Sequence, residues 1–324
     1  MTLTNSFRRF RNRCALIVGF AAVAFGLASK QADAQQFLMM PDSAAANFRM
    51  VLFDTMTGAL VNSNYFALNG ATNSTPIHGL QVGNEIWVSE QIGDRIARYD
   101  LMGNFLGQIG GGATGGLDNI RGMGLVGTTV YVTNGGAGNG APSASSVVMF
   151  DVAGNNIGNF STAGTAPSPF GILGHQGGIL VSSSSANDDV HRFSLSGVSQ
   201  GTFHNSTLAF VEQMDHAFNG DVLAAIFTSG VIARLNPNDG SLLGSFAAAG
   251  ARGVHQLGNG NIMWTSSGGV FVYDVAAGIS TNVYATTGGR YIDLLTIPEP
   301  SSIALVGLGA ILCACWRRRA KAAR

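Results

Sequence analysis

The sequence predicts an all-β chain, a six-bladed β-propeller closed by pairing of its N- and C-terminal strands, with a signal helix before it and a transmembrane helix after it. Three observations point there. A unit of short strand candidates recurs between residues 35 and 297 as five complete copies and two fragments, and self-similarity at a period of 20 to 50 residues is the mark of repeat architectures. Glycine supplies 45 of 324 residues against 8 prolines, which favours many tight turns and disfavours long helices. The two fragments, one at each end of the repeat region, complete each other.

The second strand of each unit runs through Ile86-Trp87-Val88, Val130-Tyr131-Val132, Ile179-Leu180-Val181, Val222-Leu223-Ala224 and Ile262-Met263-Trp264, at steps of 44, 49, 43 and 40 residues. The third strand ends in a large apolar residue, a turn former and then Gly. It does so six times: Phe53-Asp54 to Gly58, Tyr99-Asp100 to Gly103, Phe150-Asp151 to Gly154, Phe193-Ser194 to Gly197, Leu235-Asn236 to Gly240 and Tyr273-Asp274 to Gly278. Asp, Asn and Ser bond the backbone that follows them, and Gly accepts the positive φ of a hairpin, so the motif has a mechanical reason. A fourth strand follows each Gly, as in Phe105-Leu106-Gly107, Ile157-Gly158-Asn159 and Leu242-Leu243-Gly244.

Four strands per 40 to 50 residues describe a propeller blade. Residues 37 to 68 supply strands two to four of a blade without a first strand, and Tyr291 to Ile297 is a strand with nothing after it. Pairing them closes a ring of six and removes the open edges that invite aggregation. A seven-bladed ring with one degenerate blade and a pair of β-sandwiches are the competing architectures. The blade from Pro76 to Gly110, with Asn84-Glu85-Ile86-Trp87-Val88, Arg95-Ile96-Ala97-Arg98-Tyr99-Asp100 and Gly103-Asn104-Phe105-Leu106, resembles the NHL-type repeat. More broadly the body is similar to six-bladed propellers of the NHL and gluconolactonase-like kind, a likeness of fold that does not extend to activity.

The ends read as addressing segments. Residues 1–34 pass from a basic stretch (Arg8, Arg9, Arg11, Arg13) through the apolar run Cys14 to Ala28 to Ala32-Asp33-Ala34, the order of a secretory signal peptide cleaved by signal peptidase. An N-terminal anchor is the alternative, but the apolar run falls short of the ~20 residues a span requires. Residues 298–324 read Pro298-Glu299-Pro300, then an apolar run from Ser301 to Trp316, then Arg317-Arg318-Arg319. This order closely resembles the PEP-CTERM sorting signal of Gram-negative bacteria. The resemblance implies recognition by an exosortase-type membrane enzyme, delivery to the cell envelope or extracellular polysaccharide, and a transient or lasting hold on the membrane through the C-terminal helix. An ordinary tail anchor is the alternative. The arginines mark the cytoplasmic side, which leaves the body outside, as a signal peptide demands.

The formal net charge of zero conceals a division. Five basic residues at each end, against Asp33 and Glu299, make both ends +4; the body, 35–297, keeps eight Arg, no Lys and sixteen Asp or Glu, hence −8. A lysine-free acidic body does not suit nucleic-acid phosphates. Cys14, Cys313 and Cys315 all lie in the ends, so the body offers no disulfide, no thiol nucleophile and no cysteine zinc site.

In a propeller the first strand of each blade lines the central channel, and aligning the units places His78, Arg121, Phe170, Gln213 (beside Glu212), Arg252 and Tyr291 at one level of it. Four of these precede Gly, which lets neighbouring backbones crowd the axis whether or not anything binds. The functional reading is a funnel with His78, Arg121 and Arg252 as donors and Phe170 and Tyr291 as platforms, suited to an anionic or sugar ligand. His78, His175, His191, His204, His216 and His255 show no HxH or HExxH spacing, so no metal or other cofactor is expected. The gluconolactonase-like resemblance implies a metal held by Glu, Asn and Asp; the nearest candidates, Glu212, Asp215 and Asn134, do not fall at matching motifs. No G-x-S-x-G elbow appears, the serine runs 143–146 and 182–185 read as loops, and Gly135 to Gly140 reads as a flexible insertion. Asp188-Asp189 reads as a solvated acidic turn or a surface calcium ligand. The expectation is an exported non-catalytic propeller that binds a polysaccharide or surface protein or serves structurally; a metal-dependent lactonase-like hydrolase is the alternative.

Overall fold

A computed structural model describes residues 34–44, 48–68, 75–184, 190–205 and 209–298. The expected signal helix, the transmembrane helix, Glu299, Pro300, Arg317, Arg318, Arg319 and the Asp188-Asp189 pair lie outside the described residues. Gln36–Leu295 form one compact unit.

All described regular structure is β. The first blade contains β1 (Gln35–Asp42), β2 (Arg49–Asp54) and β3 (Leu60–Ala67), and the second β4 (Pro76–Val82), β5 (Glu85–Glu90), β6 (Arg95–Asp100) and β7 (Phe105–Gly110). The third is β8 (Ile120–Val126), β9 (Thr129–Asn134), β10 (Ser146–Asp151) and β11 (Asn156–Ser161), and the fourth β12 (Pro169–His175), β13 (Gly178–Ser183), β14 (Val190–Ser194) and β15 (Ser199–His204). The fifth is β16 (Val211–His216), β17 (Val222–Ile226), β18 (Val231–Leu235) and β19 (Leu242–Ala247). The sixth is β20 (Gly253–Gln256), β21 (Ile262–Ser266), β22 (Gly269–Asp274) and β23 (Ile279–Tyr284). The last strand, β24 (Asp293–Ile297), pairs with β1, so the first sheet has the order β24-β1-β2-β3 and the ring closes as six antiparallel four-stranded sheets. Seven blades and paired sandwiches are thereby set aside.

The hairpin motif works as its chemistry demands. The Asp100 carboxylate accepts the N–H groups of Met102 at 2.9 Å and Asn104 at 2.8 Å, and Asp151 does the same for Ala153 and Asn155. Their pKa values are lowered, chiefly by the bonds from Asn104 and Asn155. At Gly240 φ is +69°, and a Cβ there would stand 1.9 Å from the Phe203 carbonyl oxygen, so both backbone shape and the neighbouring blade require glycine.

The core lies between blades. Trp87, Ile96, Val132 and Phe150 join the second blade to the third; Phe160, Ile179 and Phe193 join the third to the fourth; Leu38, Phe53, Met263 and Val270 join the first to the sixth. Alternation along the middle strands sends side chains to both sheet faces, which is why those strands read as continuous apolar runs. The outer strand β19 is mostly exposed, and half of β7 is. The glycine-rich insertion is pinned rather than free: Gly138 N–H donates to the Asp118 carboxylate, Gly116 N–H to the Asn139 carbonyl, and the Asn139 amide to Asp94.

Candidate functional site

The first strands of the third to sixth blades enter the channel through a left-handed residue. Asn119, Ser168, Phe210 and Gly250 have φ of +52°, +50°, +66° and +63°, and each lies two residues before Arg121, Phe170, Glu212 and Arg252 respectively. That conformation turns the chain into the strand, and the carbonyls of Asn119, Ser168 and Phe210 accept N–H groups from the ends of the second strands. A β-bulge at the ring position follows in the second to fifth blades. The bulge re-aims one side chain at the axis.

A hydroxyl of the second strand then links the blades. Ser89 Oγ accepts the His78 N–H at 3.1 Å and donates to the Arg121 carbonyl at 2.6 Å; Ser182 joins Gly171 N–H to the Val211 carbonyl, and Thr265 joins Gly253 N–H to the Arg290 carbonyl. Thr133 donates to the Phe170 carbonyl at 2.7 Å. Where Pro41 replaces the hydroxyl, Tyr291 N–H bonds the Ile77 carbonyl directly. Glycine at 122, 171 and 253 allows this approach: a Cβ would lie 2.6, 2.3 and 2.5 Å from the carbonyl oxygens of Phe170, Glu212 and Arg290.

These bonds, with the register in which Gln213 faces Ala225 as His78 faces Ser89, set the ring as Ile77, Arg121, Phe170, Glu212, Arg252 and Arg290. The sequence alignment agrees at Arg121, Phe170 and Arg252 and is offset by one residue in the other three blades. In the place the alignment gives to His78, Ile77 packs against Phe170 and Tyr291 with Phe210 beside them, an apolar plug. His78 sits one position on, accepting the Met123 N–H on Nδ1 at 3.0 Å with Nε2 3.2 Å from Asp293. Gln213 reaches across the strands to the Ile292 carbonyl, and its amide oxygen accepts the N–H groups of Val254 and Ile292. The alignment of repeats does not find Arg290, and it reaches Glu212 only as the neighbour of Gln213. The recurring hydroxyl in Val88-Ser89, Val132-Thr133, Val181-Ser182 and Trp264-Thr265 is the sequence signal that sets the register.

The axis is therefore strongly charged and largely dry. Arg121 stacks over Phe170 at 4.4 Å and donates to the Ser168 and Pro169 carbonyls. Arg252 lies over Phe227 at 4.9 Å, with its Nη1 3.9 Å from Glu212. Burial pushes the Glu212 carboxyl up to about 7 against the pull of Arg252, Arg290 and Arg121. Burial likewise brings Arg290 down to about 10, with the Arg252 charge adding to it, and lowers Arg121. Tyr291 is raised well above its ordinary value by burial and by Glu212.

Three residues further along the strands lies a second polar layer. His255 Nδ1 is 2.6 Å from Asp215. Burial works to lower the His255 pKa, but the Asp215 bond and the charges of Asp215 and Asp293 outweigh it and leave it raised. The metal donors that the lactonase-like resemblance implies do not converge: Glu212 stands among arginines, Asp215 is spent on His255, and Asn134 holds the Asp118 N–H and the Gly136 and Ser143 carbonyls. Of the other histidines, His175 and His216 stack at 5.2 Å and bond the Pro237 and Gly174 carbonyls, and His204 bonds that of Gly240.

Comparison with known proteins bears on the tail and the body separately. A model of the PEP-CTERM protein-sorting motif matches residues 296–319. The tail is a PEP-CTERM sorting motif. That motif indicates export and sorting to the cell envelope and is consistent with processing by an exosortase-type enzyme. The PEP-CTERM match leaves the body unassigned, and no curated protein matches the sequence. Among solved structures, a chain of a nidogen/laminin complex is similar at 13% identity and a TM-score of 0.65, over 80% of this chain and 98% of that one. A protein of unknown function from Bacteroides caccae is similar at 12% identity and 0.53, over 82% and 100%. A catalytically inactive virginiamycin B lyase from Staphylococcus aureus, crystallised with quinupristin, is similar at 13% and 0.50, over 72% and 73%. Likeness at this level is of fold alone, and the fold serves a lyase and a protein complex alike.

Proposed function

We propose that this protein is exported under an N-terminal signal peptide, sorted to the envelope or extracellular polysaccharide by its PEP-CTERM tail, and there serves as a non-catalytic binding or structural propeller. The observation that supports binding is the axial ring, where Arg121, Arg252 and Arg290 from three different blades act on one buried carboxylate, Arg252 at 3.9 Å. Such a rigid cationic constriction suits an anionic group on a polymer or partner. The test is retention of the organism's own extracellular polysaccharide by the full chain isolated from its cells. Arg121→Ala and Arg252→Ala are each expected to weaken retention about tenfold; unchanged retention in both removes the ring from the reading. Mass spectrometry of the exported protein locates both ends, with Gln35 expected as the first residue.

A hydrolase of the lactonase kind remains as a second reading because of one pair. In His255–Asp215 a carboxylate holds one imidazole nitrogen, the arrangement that orients a general base. Lactone or ester turnover that disappears in His255→Gln would favour it.

A further inference from the structure

We propose that the axial ring is a binding site for a hydroxylated carboxylate of the hexuronate type, with Arg121, Arg252, Arg290 and Tyr291 as donors and Glu212 as acceptor. This rests on the binding role just proposed and names its ligand chemistry.

The first argument is charge. Three guanidinium charges act on one carboxylate, Arg252 at 3.9 Å and Arg290 while donating its Nε–H to Ser43 Oγ, a surplus of two positive charges with Glu212 ionised and three with it protonated. Arg121, Glu212 and Tyr291 are 6%, 2% and 1% exposed. Charge held this far from water requires a counter-charge, and among the described residues facing this point Glu212 is the acidic group acting on Tyr291, Arg121 and Arg290 alike. An anion supplies the remainder.

The second argument is unmade hydrogen bonds. Among the described residues Arg121 Nε, Arg252 Nε, Tyr291 Oη and Glu212 Oε2 are buried with no partner. Each such group carries a penalty of about 1–3 kcal/mol, and they occur together around one axis. Two arginine N–H groups and a phenol offer three donors, while the carboxylate oxygen of Glu212 asks for one. A carboxylate accepts from the arginines, and a neighbouring hydroxyl both accepts from Tyr291 and donates to Glu212. Acetate lacks the hydroxyl, sulfate has no proton for Glu212, and a neutral hexose has no charge for the arginines. The Arg252 side chain, 20% exposed over Phe227, is where the ring meets solvent.

The experiment is calorimetric titration of the full exported chain with sodium glucuronate, beside glucose, acetate and sulfate, and then with polygalacturonate to separate a free sugar acid from a polymer unit. Glucuronate is expected to bind at least tenfold more tightly than the three comparators. Arg290→Gln is expected to abolish that preference, and Tyr291→Phe, which keeps the ring and its packing, to reduce it several-fold; both are read only in preparations whose melting is cooperative. Glucuronate binding no tighter than acetate or sulfate overturns the proposal, as does wild-type preference in Tyr291→Phe. Polysaccharide retained by the protein yet not displaced by glucuronate overturns this site and leaves the binding role standing. Glucuronate bound without polysaccharide retention does the reverse.

Discussion

At the scale of single residues, Glu212 is the group whose protonation couples most directly to folding. Its native pKa is about 7 against 4.5 in the open chain, so between those values the native state holds a proton the unfolded state has released. Stability from this group is thus full below about pH 4.5, falls as pH rises to about 7, and is level above, with about 1.4 kcal/mol lost for each pH unit crossed in between. Glu212→Gln is expected to flatten the pH dependence of the urea midpoint between pH 5 and pH 7. The hairpin aspartates Asp100 and Asp151 act in the opposite sense, since their lowered pKa values make their contribution fade only as pH drops toward the acid range. Ser182 is the clearest structural residue of the axis. Ser182→Ala leaves the Gly171 N–H and the Val211 carbonyl unpaired in a dry place, an expected loss of about 1–3 kcal/mol measured by denaturant unfolding.

Between elements, the blades are held by side chains that neither blade buries alone. Trp87 illustrates this: wholly buried against Val132 and Phe150 of the next blade, it donates its indole N–H to Glu85 at 2.9 Å, and Glu85 in turn holds Arg98 at 2.8 Å. Trp87→Ala is expected to destabilise by about 3–5 kcal/mol, the range for emptying a large aromatic site, read as a shift in the unfolding midpoint. Leu106→Ala on an outer strand, half exposed, is expected to shift it by less than about 0.5 kcal/mol. The blade count and nearly every strand were legible because alternation and turn chemistry are local. The ring register was not, since it depends on bulges and on hydroxyls that bond across to the next blade.

For the whole molecule, closure is the decisive feature. β24 covers the inner edge of β1, and the Asp42–Gly289 bridge, the Ser43 N–H to Gly288 carbonyl bond and the Asp42 bonds from Tyr284 and Thr286 tie the two ends of the ring together. A chain ending at Ile292 leaves that edge open; it is expected to lose cooperative melting and to associate in size-exclusion runs, whereas one ending at Pro298 does neither. The same closure brings Arg290, near the end of the body, within reach of the charges of Glu212 and Arg252.

What the linear order of residues already contained was the six-fold repeat, the completion of one blade by both termini, and the tail with its sorting motif. Those depend on side-chain alternation, turn formers and hydropathy over short stretches. Which six side chains meet on the axis was settled only by the folded ring, because a bulge in the fifth blade puts Glu212 there rather than Gln213, and bonds from Tyr291 N–H to the Ile77 carbonyl and from Thr265 to the Arg290 carbonyl put Arg290 there rather than Tyr291.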